Sequence, residues 1–319
     1  MSLVSIGLPV YNGEELLPAT LDSLLAQTYE EIEVIVCDNA STDRTPEIVR
    51  EFAARDPRVI FHTSETNKGA SWNYNRAFHL AQGEFFKWAA HDDLCAPELV
   101  EACLAGLIAD PDLVLSYSRT DEIDPDGTFL RSLRCPTGTG RRRPRDRFES
   151  VVLERHASIP IFGVMRSEVL GKTPLMGAYV GSDWVLLCQL SLLGRFHEVP
   201  EVLFWRTEHP GTSQNVFEMA DRLEWFDTSK SGRIGFPNWR MPIELARAVH
   251  GTDLPVSEKD ACYRIVGSYV YQRAGSLRRD LFEASKRYLR RTTVGARIVD
   301  GMKRIYYSRR KLRAGQGPA

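Results

Sequence analysis

The sequence predicts an α/β protein: a mostly parallel sheet flanked by helices, with a helical extension toward its C-terminal end. Three observations carry that prediction. Short apolar runs alternate with segments of helical periodicity from Leu3 to Ser118, the pattern of strands joined by crossover helices. Each apolar run is followed by a polar loop. Beyond about residue 216 the alternation gives way to helical sequence.

The first apolar run, Leu3–Pro9, ends at a turn signal and reads as a buried strand. Leu16, Leu17, Thr20, Leu21, Leu24 and Leu25 then recur at helical spacing. Glu14 and Glu15 are expected in the first turn of that helix, where the dipole favours carboxylates. Ile32–Cys37 is a second strand, and a helix is expected from about Pro46, whose ring suits a first turn. Arg58–Thr63 reads as a strand, Ser71–Ala81 as a helix and Glu84–Ala90 as a strand. Ala96–Ala109 is a further helix and Leu113–Ser118 a fifth strand.

In such a sheet, ligands gather beyond the carboxyl ends of the strands. The residues expected there are Pro9-Val10-Tyr11-Asn12, Asp38-Asn39-Ala40-Ser41, Asn67-Lys68-Gly69 and His91-Asp92-Asp93. No GxGxxG follows the first strand and no GxxxxGK[ST] occurs, so the common backbone cradles for phosphate are absent. A metal is the alternative counter-charge, since Mg²⁺ or Mn²⁺ takes one or two carboxylates plus substrate phosphates. Asp92 and Asp93, side by side after an aromatic run, suit that task. A second reading has Asp93 capping the helix that follows.

Taken in order, PVYNGEE, SLLAQTY, EVIVCDNASTDRT, NKGASWNYNRA and GEFFKWAAHDD resemble the motifs of family 2 glycosyltransferases over residues 3–215. That resemblance implies a GT-A (Rossmann-like) fold, a nucleotide-sugar donor, a divalent metal (Mn²⁺ or Mg²⁺) at a DXD-like motif, and inverting transfer of the bacterial cell-surface glycan type. It places Asp92 at the metal and Asp38 against the base. Ala90 stands where relatives often carry a ribose-contacting acid, and Asn39 replaces a frequent second Asp. Donor binding then falls to Pro9, Tyr11, Asn12, Glu14, Asp38, Asn39, Asn67, Lys68, His91, Asp92, Asp93 and Arg206. Chemistry gives these positions reasons. Asp38 can accept the N3–H of a pyrimidine, Tyr11 can flank the ring or simply pack, and Lys68 can supply a compact positive charge or remain a solvated one.

The second half is expected to hold the acceptor. Asp183 opens an apolar helix after Gly181 and Ser182, where it would complement the dipole on its own account. By resemblance, Gly-Ser-Asp-Trp matches the family's Glu-Asp site, with Ser182 in place of Glu and Asp183 as the catalytic base. Trp184 reads equally as a sugar platform and as core. Arg206 and His209 resemble an element that closes over the donor diphosphate, with His209 completing the metal shell. Pro136–Arg147, with five arginines and turn-forming residues, is expected to be a solvated surface loop that could also meet acceptor phosphates.

Charge is distributed unevenly. Between 277 and 313 there are 13 Lys/Arg against 3 Asp/Glu, a local +10. Because the whole chain sums to −1, the remainder carries −11. Val294, Ile298, Met302, Ile305 and Tyr306 share one face of a helical projection. Such a basic amphipathic segment either lies on an anionic bilayer or packs on the body. Nucleic acid is not expected as a partner, because no DNA- or RNA-binding pattern accompanies the charge.

No run of eighteen apolar residues suggests a membrane span, and no basic n-region suggests a signal peptide. The six cysteines lack ligand spacing, as in a reducing compartment. The expected location is therefore cytoplasmic, with peripheral contact at the inner membrane face. Residues 1–215 are expected to form the catalytic domain, with 1–118 as nucleotide half and 119–215 as acceptor half, ahead of a helical region at 216–319. The leading function is transfer of a sugar, with UDP the favoured nucleotide, to a saccharide or lipid-linked acceptor. A nucleotidyltransferase is the first alternative, although PVYNGEE lacks the glycine-rich, basic activation loop that chemistry wants. A non-catalytic nucleotide-sugar-binding protein is the second.

Overall fold

A computed structural model of the chain describes residues 2–212 and 237–289. Nine strands form one sheet: β1 (Val4–Val10), β2 (Ile32–Asp38), β3 (Val59–Thr63), β4 (Phe85–Trp88), β5 (Leu94–Cys95), β6 (Leu113–Ile123), β7 (Phe129–Leu133), β8 (Val164–Arg166) and β9 (Arg195–Thr207). Their order is β3-β2-β1-β4-β8-β6-β9-β5, with β7 hairpinned onto β6. The strands β1 to β4 are mutually parallel. The short strand β8 runs antiparallel between β4 and β6, so β6 and its parallel partner β9 point the same way as β1.

The helices are α1 (Leu17–Leu25), α2 (Thr45–Arg55), α3 (Ala70–Leu80), α4 (Leu99–Ala109), α5 (Pro144–Leu153), α6 (Ser167–Leu170), α7 (Ser182–Leu193), α8 (Pro237–Gly251), α9 (Val256–Gln272) and α10 (Ala274–Leu289). Two neighbouring strands of the parallel part, β1 and β2, are buried along their whole length, as expected of parallel strands covered on both faces. One core joins Val4, Ile6 and Leu8 to Leu17, Leu21, Leu104 and Leu107. The second joins Phe86, Trp88 and Leu115 to Phe148, Leu186, Leu190, Leu245 and Cys262. The C-terminal helices α8 and α9 therefore complete the second core. Helix α7 is apolar nearly all round because α5, α8 and the sheet enclose it.

The expected boundaries move in a few places. Glu14 and Glu15 precede α1, whose first turn holds no acid; both belong instead to the polar rim loop. The fourth helix starts at Leu99, after the two-residue strand β5. Strand β6 runs on to Ile123 because β9 pairs with it throughout, bulging at Pro200 and Glu201, where a proline has no N–H to donate to the ladder. The domain boundary near 215 and the apolar face at 294–306 lie outside the described residues.

The arginine-rich stretch is only partly a loop, since α5 begins at Pro144. Arg147 is buried, and its guanidinium donates to the carbonyls of Ser191 at 2.7 Å and Leu192 at 3.4 Å, and of Arg142 at 2.7 Å. It thus satisfies the C-terminal carbonyls of α7, where a cation also suits the dipole. Burial and the nearby Arg195 charge lower its pKa to about 10, which leaves it protonated at neutral pH. Arg147 thus sits at the end of α7 opposite Asp183, about 15 Å away at 1.5 Å per residue. Arg147→Ala is expected to destabilise the fold by about 3 kcal/mol, read as a lowered urea midpoint with unchanged slope.

Candidate active site

The loops that follow β1, β2 and β3 are lashed to one another by side-chain to backbone bonds. Asn12 sits at φ +52 and its Oδ1 accepts the Thr42 N–H at 2.9 Å, while its own N–H reaches Ser41 Oγ at 2.8 Å. Glu14 accepts the Arg44 N–H at 2.9 Å. Asp38, buried at the end of β2, accepts the Ser41 N–H at 3.1 Å. Asn39 is buried and spends its amide on the third loop: Nδ2 donates to Asn67 Oδ1 at 2.9 Å, and Oδ1 accepts the Lys68 N–H at 3.1 Å. Pro9 is buried within β1, whereas the Tyr11 ring is 42% exposed at the rim. The Lys68 ammonium lies 4.5 Å from the Trp72 ring centroid, so it faces an aromatic platform at the same rim.

The loop after β4 is built more tightly. The His91 ring lies against Gly13, where a Cβ would come within 2.6 Å of it; only glycine admits that approach. Asp93 is buried, and its Oδ1 accepts the Thr207 N–H at 3.0 Å. It caps no helix: the residue at the N-cap of α4 is Glu98. Burial, then the neighbouring Asp92 carboxylate, push the Asp93 pKa well above the ordinary range, with Thr207, Arg206 and Lys87 opposing. Asp92 meets the same segment two residues further on, with its Oδ2 3.1 Å from His209 Nε2. The expected pair of Asp92 and His209 is therefore brought together by the end of β9.

Arg206 is committed within the protein. Its guanidinium lies 3.3 Å from Glu122 and 3.3 Å from Glu208. Glu122, with a side chain only 2% exposed, also pairs with Arg131, whose side chain is 66% exposed. This buried carboxylate escaped the sequence reading because RTDEID looks like any polar strand end. Asp183 lies in the first turn of α7, whose N-cap Gly181 adopts φ +84. Burial raises the Asp183 pKa, opposed by backbone N–H groups at Trp184 and Asp183, the Ser158 hydroxyl and the His156 charge. Trp184 belongs to the core, donating to the Val151 carbonyl at 2.9 Å and packing on Tyr269.

Tyr74 of α3 was missed as well. Its pKa is raised by burial first and then by the charges of Asp92, Asp93 and Asp183. Those three carboxylates, two on the loop after β4 and one on α7, therefore lie within electrostatic reach of one phenol. Helical periodicity alone placed Tyr74 on α3 but said nothing of what it faces.

Comparison with known proteins agrees with this architecture. Residues 5–170 match glycosyl transferase family 2. The chain belongs to that family. A chondroitin synthase of Escherichia coli is 29% identical over 212 residues, which is 65% of this chain and 29% of the relative. A chondroitin synthase of Pasteurella multocida is 34% identical over 128 residues, 40% of this chain and 13% of the relative. The chain thus spans less than a third of the length of either. TarS of S. aureus, solved in complex with UDP-GlcNAc, superposes with a TM-score of 0.65 at 17% identity, covering 91% of this chain and 81% of TarS. The fold is that of the GT-A glycosyltransferases.

In this family 2 chain, Glu122 neutralises Arg206 from within the sheet, with Glu208 just beyond the end of β9 as its second partner. Glu122→Ala is expected to cost about 2 kcal/mol, because it removes the more buried of the two carboxylates that hold a mostly buried guanidinium. Arg131→Ala should cost less, since water already screens that charge. Urea unfolding of the two variants checks the order.

Proposed function

We propose that the chain transfers a sugar, with inversion, from a nucleotide-sugar donor to a hydroxyl of a saccharide or lipid-linked saccharide. UDP is the nucleotide carrier in this reading. The observation that carries it is that the end of β9 brings His209 onto Asp92 and Thr207 onto Asp93 at the carboxyl edge of the sheet, with Asp183 near enough for its charge to reach Tyr74 as theirs do. Asp38, Asn39, Tyr11 and the Lys68–Trp72 pair line the adjoining rim and would receive the base and ribose. Relatives with the names of polysaccharide synthases support a glycan as product.

Among the described residues, no group of three or more His, Cys, Asp or Glu side chains forms a metal cage. The Asp92–His209 pair nevertheless fits Mg²⁺ or Mn²⁺, which takes few protein ligands and fills its shell with phosphate oxygens and water. Bound there, the metal would neutralise charge on the leaving diphosphate. Asp93, buried and held by Thr207, keeps the loop that presents Asp92 in register. Asp183 accepts the proton of the acceptor hydroxyl, a task that requires its ionised form. Its raised pKa places the acid limb of the rate profile above the ordinary carboxylate range: activity is present above that pKa and lost as pH falls through it. Asp183→Asn should retain donor binding and lose transfer by a factor on the order of 10² to 10⁴.

The decisive measurement is thermal shift with UDP, dTDP and GDP, each with Mn²⁺ and with EDTA. At a hundredfold excess over its dissociation constant, the true nucleotide adds about 2.7 kcal/mol of apparent stability. The expected result is stabilisation by UDP with Mn²⁺ only, abolished in Asp92→Ala. Stabilisation that survives EDTA and Asp92→Ala would overturn the metal role.

Membrane contact at the inner face belongs to the same proposal. Among the described residues no helix is long and apolar enough to cross a bilayer. On α10, Leu281 and Phe282 are exposed beside Arg278 and Arg279, just ahead of the basic 290–313 sequence, a combination suited to anionic headgroups. Full-length chain should co-sediment with phosphatidylglycerol vesicles at low salt and release at high salt; no binding to such vesicles would defeat the idea.

A further inference from the structure

Three of the polar side chains on helix α3, Ser71, Asn73 and Asn75, lie on two of its faces. Residues two apart on an α-helix point about 200° apart, whereas residues four apart share a face. Asn73 and Asn75 must therefore aim in nearly opposite directions, and Ser71 must share the face of Asn75. The contacts follow that rule. Asn73 Nδ2 donates to the carbonyl of Cys37 at 2.6 Å, with Val10 at 3.4 Å, binding α3 to the ends of β2 and β1. Asn75 faces the other half of the molecule. Its Nδ2 donates to the Met176 carbonyl at 3.0 Å and its Oδ1 accepts the Met176 N–H at 2.9 Å. Ser71 Oγ adds a bond to the Gly177 carbonyl at 2.8 Å.

The segment so gripped leads directly to Asp183. Leu175 enters it at φ +60, and Gly177 lies so close under the Tyr179 ring that a Cβ would sit 2.1 Å from it. From there the turns are hydrogen-bonded in relay: the Tyr179 N–H donates to Gly177, the Ser182 N–H to Tyr179 and the Val185 N–H to Gly181. A shift of Met176 is thus passed along to the first turn of α7. Between the two asparagines, Tyr74 lies within electrostatic reach of Asp92, Asp93 and Asp183.

We propose that the Asn73–Asn75 turn of α3 is a gauge between the two halves of the site, with Asn75 the positioning residue that sets Asp183 relative to the donor. An amide is suited to this because it reads a backbone donor and acceptor together, as a neighbouring strand would. The role rests on Asp183 being the base, and the experiment separates the two ideas.

Asn75→Ala, Ser71→Ala and Asp183→Asn are prepared in the full chain. Hydrogen exchange comes first, because it needs no substrate. Asn75→Ala should speed exchange across 176–183 while leaving 4–12 and 32–45 at wild-type rates. The dissociation constant of UDP with Mn²⁺ should stay within twofold. For turnover, UDP release is followed from UDP-glucose, UDP-galactose and UDP-N-acetylglucosamine with water as the acceptor, its proton taken by Asp183 as that of a sugar hydroxyl would be. The kcat should fall about 10- to 100-fold, as expected when a reacting group is misplaced by about an ångström, with donor KM little changed. Wild-type exchange at 176–183, or kcat within twofold of wild type, overturns the gauge. So does an equal weakening of UDP binding, which would make Asn75 a general structural residue. If Asn75→Ala does not fold, Ser71→Ala carries the same comparison with a smaller effect. Loss of transfer in Asp183→Asn beside an unimpaired Asn75→Ala removes the gauge alone. Transfer retained in Asp183→Asn removes the base and the gauge with it.

Discussion

The bond from the Thr207 N–H to the buried Asp93 carboxylate organises the candidate active site. A carboxylate taken out of water must find donors or give up its charge. Here one donor comes from the last residue of a strand more than a hundred residues later in the chain. Meeting that need draws the end of β9 onto the loop after β4. Arg206 then falls within electrostatic reach of Asp93, and His209 comes down on Asp92. Gly13 makes room from below, since the His91 ring occupies the space its side chain would fill. A backbone requirement thus brings together side chains from three distant parts of the sequence.

Elsewhere the fold buries charge under the same discipline. Lys87, in the middle of β4, has no exposed surface, and its ammonium donates to the carbonyls of Phe162 at 2.7 Å and Trp88 at 3.0 Å beside the Phe204 ring. Arg147 answers the carbonyls at the end of α7, and Glu122 answers Arg206. Each group is matched by complementary partners, which is the condition for a buried ion to be tolerated. The three sit around the part of the sheet where antiparallel β8 and the long β6–β9 ladder replace the regular crossovers of β1 to β4.

How much of this was legible in the sequence depended on length and regularity. Strands β1 and β2 and helices α1 and α3 showed through because full burial or a 3.6-residue period repeats over several residues. β5 and β8, of two and three residues, are too short to display any period. The rim residues could be named as a set because parallel strands of one sheet end on one side. Their partners could not: nothing in Asn39 announces that its amide serves Lys68 and Asn67, or in Arg206 that two carboxylates already hold it.

By itself, the sequence determined the α/β layering, the polar carboxyl edge and the acids that populate it, because periodicity and local turn chemistry act between near neighbours. It also carried the motifs of family 2 in their order. Tertiary structure alone decided that Asp92 meets His209, that Asp93 is spent on Thr207 rather than on a helix cap, and that Tyr74 lies within electrostatic reach of three carboxylates. It alone set Arg147 at the far end of α7. The reason is physical: which groups share a buried space depends on how the sheet brings chain segments together, and desolvation then makes each such meeting obligatory.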